Sequence, residues 1–220
     1  MIPGARLVLL GRQGAGKGTQ CVRLSRHYVV PHISTGDMLR SAVREGTEFG
    51  RKASEYMRAG DLLPDDIIVG IVDERLERDD TRTRGFVLDG FPRTVRQAEA
   101  LLRITHPRGI DLCINLDVPR DIVLRRLAGR RVCTDCGTNY SREEPPKYNA
   151  TCDVCGGDVV LRDDDTEEAI NRRLDLYERE TSPLIAWFDK WGLLVEVDGT
   201  GTLDDVTDRL IQEIDRRREL

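Results

Sequence analysis

The chain has 220 residues, 39% of them hydrophobic and 33% charged, with a net charge of −5 at pH 7. This mixture describes one globular core with small insertions and a heavily charged surface. The negative balance counts against a general nucleic-acid binder, and no apolar run approaches the roughly 20 residues needed to cross a bilayer.

The N-terminus leads directly into Leu7-Val8-Leu9-Leu10, a short buried strand, without a leader-like segment, so a cytoplasmic location is expected. The strand runs into Gly11-Arg12-Gln13-Gly14-Ala15-Gly16-Lys17-Gly18-Thr19, and then the pattern turns helical. Strand, glycine-rich turn and helix start are the setting of a phosphate-binding loop. Glycines let backbone N–H groups curl around an anion, and the helix start adds unpaired N–H groups and the positive end of its dipole. Lys17 is one of only four lysines among 34 basic residues, so a compact ammonium is wanted at this position instead of a guanidinium fork. Gly18 occupies the place where Ser or Thr usually follows the lysine, and Thr19 comes one position later.

The helix after the loop spans Lys17–Tyr28, with Cys21, Leu24 and Tyr28 inward and Cys21 a buried filler. Residues 29–34 read as a second strand, flanked by His27 and His32, to which no role is assigned. Ser34-Thr35-Gly36-Asp37 caps a helix through residue 45, which Gly46 breaks. Another helix covers Glu48–Ala59 and Gly60 stops it. Asp65 and Asp66 open a helix to about residue 78, making 34–63 a helical insertion.

After a polar run, 85–89 is a third strand ending in Asp89-Gly90-Phe91-Pro92-Arg93. A carboxylate at the carboxyl end of a buried strand shares an edge with the phosphate loop; it can cap a helix or, beside that loop, order magnesium. Thr94 caps a helix to 104, 112–118 is the fourth strand, and Pro119 opens a helix over 120–131. Residues 193–197 form the fifth strand and Leu203–Arg217 the closing helix. Strands separated by helices predict an α/β fold with a parallel sheet covered on both faces.

Cys133-x-x-Cys136 and Cys152-x-x-Cys155 are separated by fifteen residues, and each pair is followed by glycine, Gly137 and Gly156. This is zinc-ribbon spacing, and four thiolates close a tetrahedral site, so the metal is structural. The stretch has few apolar residues of its own. Its eight acidic residues (Asp135, Glu143, Glu144, Asp153, Asp158, Asp163, Asp164, Asp165) against three basic ones (Arg142, Lys147, Arg162) make a poor surface for a phosphate backbone, and it reads as a lid.

Taken together, these phrases resemble the adenylate kinases, in the long form with a zinc-bearing lid, over essentially all 220 residues. The loop is similar to the family's ATP loop, with Arg12-Gln13 where Gly-Pro is more familiar. Ser34 to Arg40, Asp89 to Thr94, Gly129-Arg130-Arg131 and Arg162 to Asp165 match the monophosphate segment, the family's most characteristic phrase and the two lid borders. The resemblance implies a P-loop kinase fold with a five-stranded parallel sheet. A core would span 1–33, 64–128 and 166–220, a monophosphate-binding insert 34–63 and a zinc-ribbon lid 129–165.

The implied activity is reversible, Mg²⁺-dependent transfer of the terminal phosphoryl group of ATP to AMP, giving two ADP, for adenine nucleotide homeostasis. A kinase for another nucleoside monophosphate is the nearest alternative, and an ATP-gated zinc-ribbon nucleic-acid-binding protein a more distant one. Gly14, Ala15, Gly16, Lys17, Gly18 and Thr19 would hold ATP phosphates. Arg126 and Arg130 would close onto ATP, with Asn139, Tyr140 and the backbone of Gly201 at its base and sugar. Thr35, the backbone of Asp61, Leu62 and Leu63, Gly90, Phe91, Pro92 and Gln97 would form the AMP side. The Gln97 amide suits adenine but can rotate. Arg40, Arg93, Arg162 and Arg173 would converge on the AMP phosphate and, with Lys17 and Arg130, surround the transferring group; Asp89 would order Mg²⁺ through water, and Cys133, Cys136, Cys152 and Cys155 would bind Zn²⁺. ATP, AMP and ADP are the expected partners of a monomer, with neither nucleic acid nor membrane.

Overall fold

A computed structural model of the chain describes residues 4–142, 144–162 and 165–218. Glu143, Asp163 and Asp164, counted above among the lid acids and, for the last two, in the second lid border, lie outside the described residues. In chain order the elements are β1 (Arg6–Leu10), α1 (Lys17–Tyr28), β2 (His32–Ser34), α2 (Thr35–Arg44), α3 (Glu48–Ala59), α4 (Asp65–Leu76), α5 (Asp79–Arg84), β3 (Phe86–Asp89), α6 (Val95–Thr105), β4 (Leu112–Asp117), α7 (Arg120–Ala128), β5 (Arg131–Cys133), β6 (Asn139–Tyr140), β7 (Val159–Leu161), α8 (Glu167–Leu176), a π-helical turn (Tyr177–Thr181), α9 (Pro183–Lys190), β8 (Leu194–Asp198) and α10 (Leu203–Arg217).

The expected parallel sheet is present, with order β2-β3-β1-β4-β8. Side chains alternate across it. Leu7, Leu9, Val87 and Ile114 pack with Leu24, Tyr28, Val123, Leu174, Leu210 and Ile214 on one face. Val8, Leu10, Leu88 and Cys113 pack with Ile68, Val72, Leu101, Leu184 and Phe188 on the other. Runs of residues apolar at every position are thus explained by burial on both faces. The order has one functional consequence. β1 lies between β3 and β4, so the loop leaving β1 emerges beside the carboxyl ends of both neighbours.

Caps place most helix ends as expected. Ser34, Thr47, Thr94 and Thr202 each accept a hydrogen bond from the backbone N–H three residues on. Four differences stand out. β2 begins at His32, because Val29 is in the left-handed region (φ 54°) as the C-cap of α1. The polar run before β3 is the short helix α5. α7 ends at Ala128, and Arg131 already belongs to β5. The span from Thr166 to Lys190, to which periodicity assigned no element, forms α8, the π turn and α9.

The second insertion is a three-stranded antiparallel sheet, β6-β5-β7, outside the main layer. Its apolar centre is Cys133, Tyr140, Cys152 and Val159, too few to hold a fold without the cysteine cluster.

Candidate active site

The loop after β1 turns through Gly11 (φ 141°), Gly14 (φ 83°) and Gly16 (φ 99°), and Gly16 caps α1 without a side-chain bond. The first N–H groups of α1 therefore remain available to an anion. The Lys17 ammonium bridges the loop from inside, donating to the carbonyls of Gly11 (2.7 Å) and Arg12 (2.9 Å). Burial pushes its pKa below the ordinary lysine value and the fields of Arg93 and Arg130 act in the same direction, against the opposing field of Asp89.

Asp89 ends β3 opposite Leu9 and closes the cradle. Burial alone would raise its pKa; contact with His32, then the charges of Lys17 and Arg93, outweigh it and hold the carboxylate below its usual range. His32 Nε2 lies 3.9 Å from Asp89 Oδ2, a partnership the sequence did not reveal because a lone histidine carries no spacing signal. Gly18 also finds its reason here. A Cβ at that position would sit 3.3 Å from Asp89 Oδ2, so the missing side chain leaves room beside the carboxylate.

The arginines converge from separate elements. Burial lowers the pKa of Arg93, and the fields of Arg173 and Arg40 reach it and lower it further while Asp89 opposes them. Arg40 is paired with Asp37. Arg130, at the lid hinge, donates to Asp165 through Nε (2.7 Å) and Nη2 (2.6 Å). Arg173 Nη1 reaches the same carboxylate at 3.3 Å, and Gln13 Nε2 of the phosphate loop does so at 3.1 Å. Asp165, its side chain only 6% exposed, thus ties Arg130, α8 and the phosphate loop together. The sequence marked it as a lid border and nothing more. Arg162 follows β7, half-buried.

Two further arginines, Arg12 and Arg126, tie the loop to its surroundings. Arg12 Nε donates to Glu178 (2.8 Å) and its Nη1 to Asp117 (3.3 Å) and the Val118 carbonyl (3.2 Å). Arg126 reaches back to the Ala15 carbonyl (3.1 Å) and across to that of Gly199 (3.2 Å). Beside Gly201, Arg209 donates to the carbonyls of Asp198 and Thr200. The π turn contributes twice, since Glu178 holds Arg12 and Thr181 Oγ1 donates to the Arg93 carbonyl at 2.9 Å.

On the other side of the arginines, Thr35 is buried and donates to the Gly90 carbonyl at 3.0 Å. Gly90 has φ 79°, and a Cβ there would lie 2.8 Å from Thr35 Oγ1, so only glycine fits. The Phe91 ring is in the core with Pro92 buried beside it, which leaves the main chain of both for any ligand. Gln97, 2% exposed, is hydrogen-bonded at both ends of its amide, by the Arg93 N–H and to Asp65. Asp61 pairs with Arg172 on α8, and Leu62 and Leu63 follow it.

In the lid, all four ligand atoms of Cys133, Cys136, Cys152 and Cys155 lie within 4.8 Å of one another. The closest pairs are 3.4 Å and 3.6 Å apart, too long for disulfides and near the edge of about 3.8 Å expected for a tetrahedron with Zn–S bonds of about 2.3 Å. The donor set therefore fits a structural zinc ion. Gly137 and Gly156 close the two knuckles, their N–H groups bonding the carbonyls of Cys133 and Cys152. Tyr140 sits beneath them; its hydroxyl donates to Cys152 Sγ (3.2 Å) and accepts from the Asp153 N–H (2.8 Å). This bond holds the Cys152 thiol below its ordinary pKa, favouring the thiolate a metal needs. Asn139 is exposed on β6.

A phosphate cradle on the central strand, a carboxylate on its neighbour, and basic residues brought to one place by the core and by two insertions define a P-loop nucleotide kinase. Residues 9–193 match the family model described as adenylate kinase. The chain is 50% identical over 204 residues to the adenylate kinase of Moorella thermoacetica, covering 91% of this chain and 94% of that protein. It is 47% identical over 215 residues to that of Thermodesulfovibrio yellowstonii, covering 96% and 100%, and 44% identical over 212 residues to that of Staphylococcus aureus, covering 95% and 98%. The chain belongs to the adenylate kinase family, and its fold and its class as a phosphotransferase follow.

Removing Asp165 strips a shared counter-charge from Arg130 and Arg173. Asp165→Ala is expected to lower unfolding stability by roughly 3 kcal/mol in a denaturant titration, with sulfate restoring more stability to the variant than to the parent. Metal analysis is expected to find one zinc ion per chain, lost in Cys133→Ser together with a fall in the lid's melting temperature. A metal-free parent with an unchanged melting curve in the variant would contradict the site.

Proposed function

We propose that the chain catalyses MgATP + AMP ⇌ 2 ADP, with the cradle of Gly14, Ala15, Gly16, Lys17, Gly18 and Thr19 holding the ATP phosphates. The observation that carries this reading is the convergence of basic groups on the cradle: buried Lys17 inside the loop feels Arg93 and Arg130, buried Arg93 feels Arg40 and Arg173, and Arg130 and Arg173 meet at Asp165. Cations gathered around a glycine-rich cradle of free N–H groups suit a phosphate-bearing ligand.

Phosphoryl transfer asks little covalent work of the protein. Negative charge spreads over three equatorial oxygens while donor and acceptor stand in line, so catalysis is positioning and charge stabilisation. Lys17 and the α1 N–H groups would orient the ATP phosphates, and Arg130 with Arg162 would approach from the lid. Arg40, Arg93 and Arg173 would hold the AMP phosphate and bring it against the repulsion of the second polyanion. Planar guanidinium forks suit this geometry. Asp89 beside Gly18 would hold the magnesium ion of ATP through water, and that ion would supply neutralisation of charge on the phosphate oxygens.

The Asp165 carboxylate occupies Arg130 and Arg173 in this structure, and the incoming phosphates would compete with it. Segments 34–63 and 129–165, attached to a core of 1–33, 64–128 and 166–220, would close over the two nucleotides and exclude water, the competing acceptor. Arg126 and the main chain of Asn139, Tyr140 and Gly201 would line the ATP base and sugar; the Tyr140 hydroxyl stays with the cysteines. Thr35, Asp61, Leu62, Leu63, Gly90, Phe91, Pro92 and Gln97 would line the AMP side. The working unit in this proposal is a monomer. The four closely spaced thiols suit a reducing compartment such as the cytoplasm.

ADP formation from MgATP with AMP, GMP, CMP and UMP in turn is expected to show a clear preference for AMP; preference for any other acceptor would overturn the assignment. Lys17→Met is expected to lower turnover by about 10²–10³-fold. Because the folded-state pKa of Lys17 lies below its ordinary value, the charged ammonium costs the fold stability at neutral pH, so the variant should melt no lower than the parent. Near-normal turnover in it would remove the role given to this lysine.

A further inference from the structure

Gln97 is an amide, and an amide reads a base edge in either of two senses, donor beside acceptor or the reverse. Its surroundings admit only one. Gln97 Nε2 donates to Asp65 Oδ1 at 2.7 Å, and Gln97 Oε1 accepts from the Arg93 backbone N–H at 2.7 Å. A carboxylate can only accept and a backbone N–H can only donate. Rotating the amide by half a turn would set oxygen against carboxylate and NH₂ against N–H, leaving both ends of the buried Gln97 amide unsatisfied. Asp65 is itself held, since its Oδ2 accepts from Thr94 Oγ1 at 3.1 Å. Thr94 in turn caps α6, accepting from the Gln97 N–H at 3.2 Å. Asp65 also sits in the first turn of α4, where a negative charge is favoured.

With one N–H and one lone pair already engaged, Gln97 has one N–H and one lone pair left, in a set order. A 6-aminopurine presents an amino donor beside the N1 acceptor; a 6-oxopurine presents an oxygen acceptor beside an N1–H donor. The two edges call for opposite senses of the amide. We propose that Asp65 is the positioning residue for base selection: by accepting from Gln97 Nε2 it locks the amide in the sense that pairs with a 6-amino, and rejects a 6-oxo, purine monophosphate. The proposal deepens the function above and rests on its reading that Gln97 meets the acceptor base.

The test compares AMP with inosine monophosphate, which differs from it at the 6-position. In Asp65→Ala, only the Arg93 N–H still biases the amide. The ratio of kcat/KM for AMP to that for inosine monophosphate is expected to fall on the order of tenfold or more. The change should appear as a higher KM for AMP and a gain with the oxo substrate, with KM for ATP and kcat at saturating AMP within about twofold of the parent. Asp65→Asn keeps an oxygen that can accept from Gln97 and should recover most of the ratio, which separates orientation from loss of charge and guards against a variant that simply folds poorly.

Gln97→Leu distinguishes the two layers of the argument. If it leaves the AMP preference intact, Gln97 does not read the base and both the reading and the proposal fall. If it abolishes the preference while Asp65→Ala does not, the reading stands and the proposal alone is overturned. Non-additive loss in the double variant Asp65→Ala/Gln97→Leu, with Asp65→Ala adding nothing once Gln97 is gone, is the expected result.

Discussion

Like-charge crowding is the constraint on which the rest of this molecule depends. Lys17 and Arg93 are buried, the fields of Arg93 and Arg130 reach the first and those of Arg173 and Arg40 reach the second, and no fold holds such a group together without compensation. Three carboxylates supply it, Asp37 being the one paired with Arg40. Asp89 answers Lys17 and Arg93 at the sheet edge, and Asp165 answers Arg130 and Arg173 at the lid border. The chemistry asks for this imbalance, since the reaction brings two polyanions together and a pre-assembled positive site lowers the cost of doing so.

The architecture explains how the charges arrive. Placing β1 between β3 and β4 sets the phosphate loop beside Asp89. The two insertions contribute Arg40 on α2 and Arg130 at the hinge, while α8 supplies Arg173, whose Nη2 also grips the Met57 carbonyl at 2.7 Å. The π turn after α8 holds Arg12 through Glu178 and the Arg93 carbonyl through Thr181. The unusual Arg12-Gln13 pair thereby acquires a physical role. Arg12 reaches the π turn and Gln13 reaches Asp165, so both side chains tie the loop to segments far along the chain.

Much of this was legible in the sequence because local rules agree with the global fold. The run Leu7 to Leu10, the glycines after it, and the caps at Ser34 and Thr94 all report structure through their nearest neighbours. The two Cys-x-x-Cys pairs did the same for the lid. What could not be read lies in pairings far apart in the chain. Asp165 with Gln13, Glu178 with Arg12, and Asp65 with Gln97 are separated by 152, 166 and 32 residues and have no local pattern. His32 beside Asp89 became visible only once β2 and β3 were paired. The span from Thr166 to Lys190 escaped periodicity because a π turn shifts the helical phase midway, so its inward residues do not repeat regularly.

A crystal structure with an ATP-like and an AMP-like nucleotide joined through their phosphates tests the central claim most directly. The account predicts that the guanidinium groups of Arg40, Arg93, Arg130, Arg162 and Arg173 and the ammonium of Lys17 all contact the bridging phosphate chain, with Asp165 displaced from Arg130. Those side chains turned apart into solvent around a filled site would contradict it.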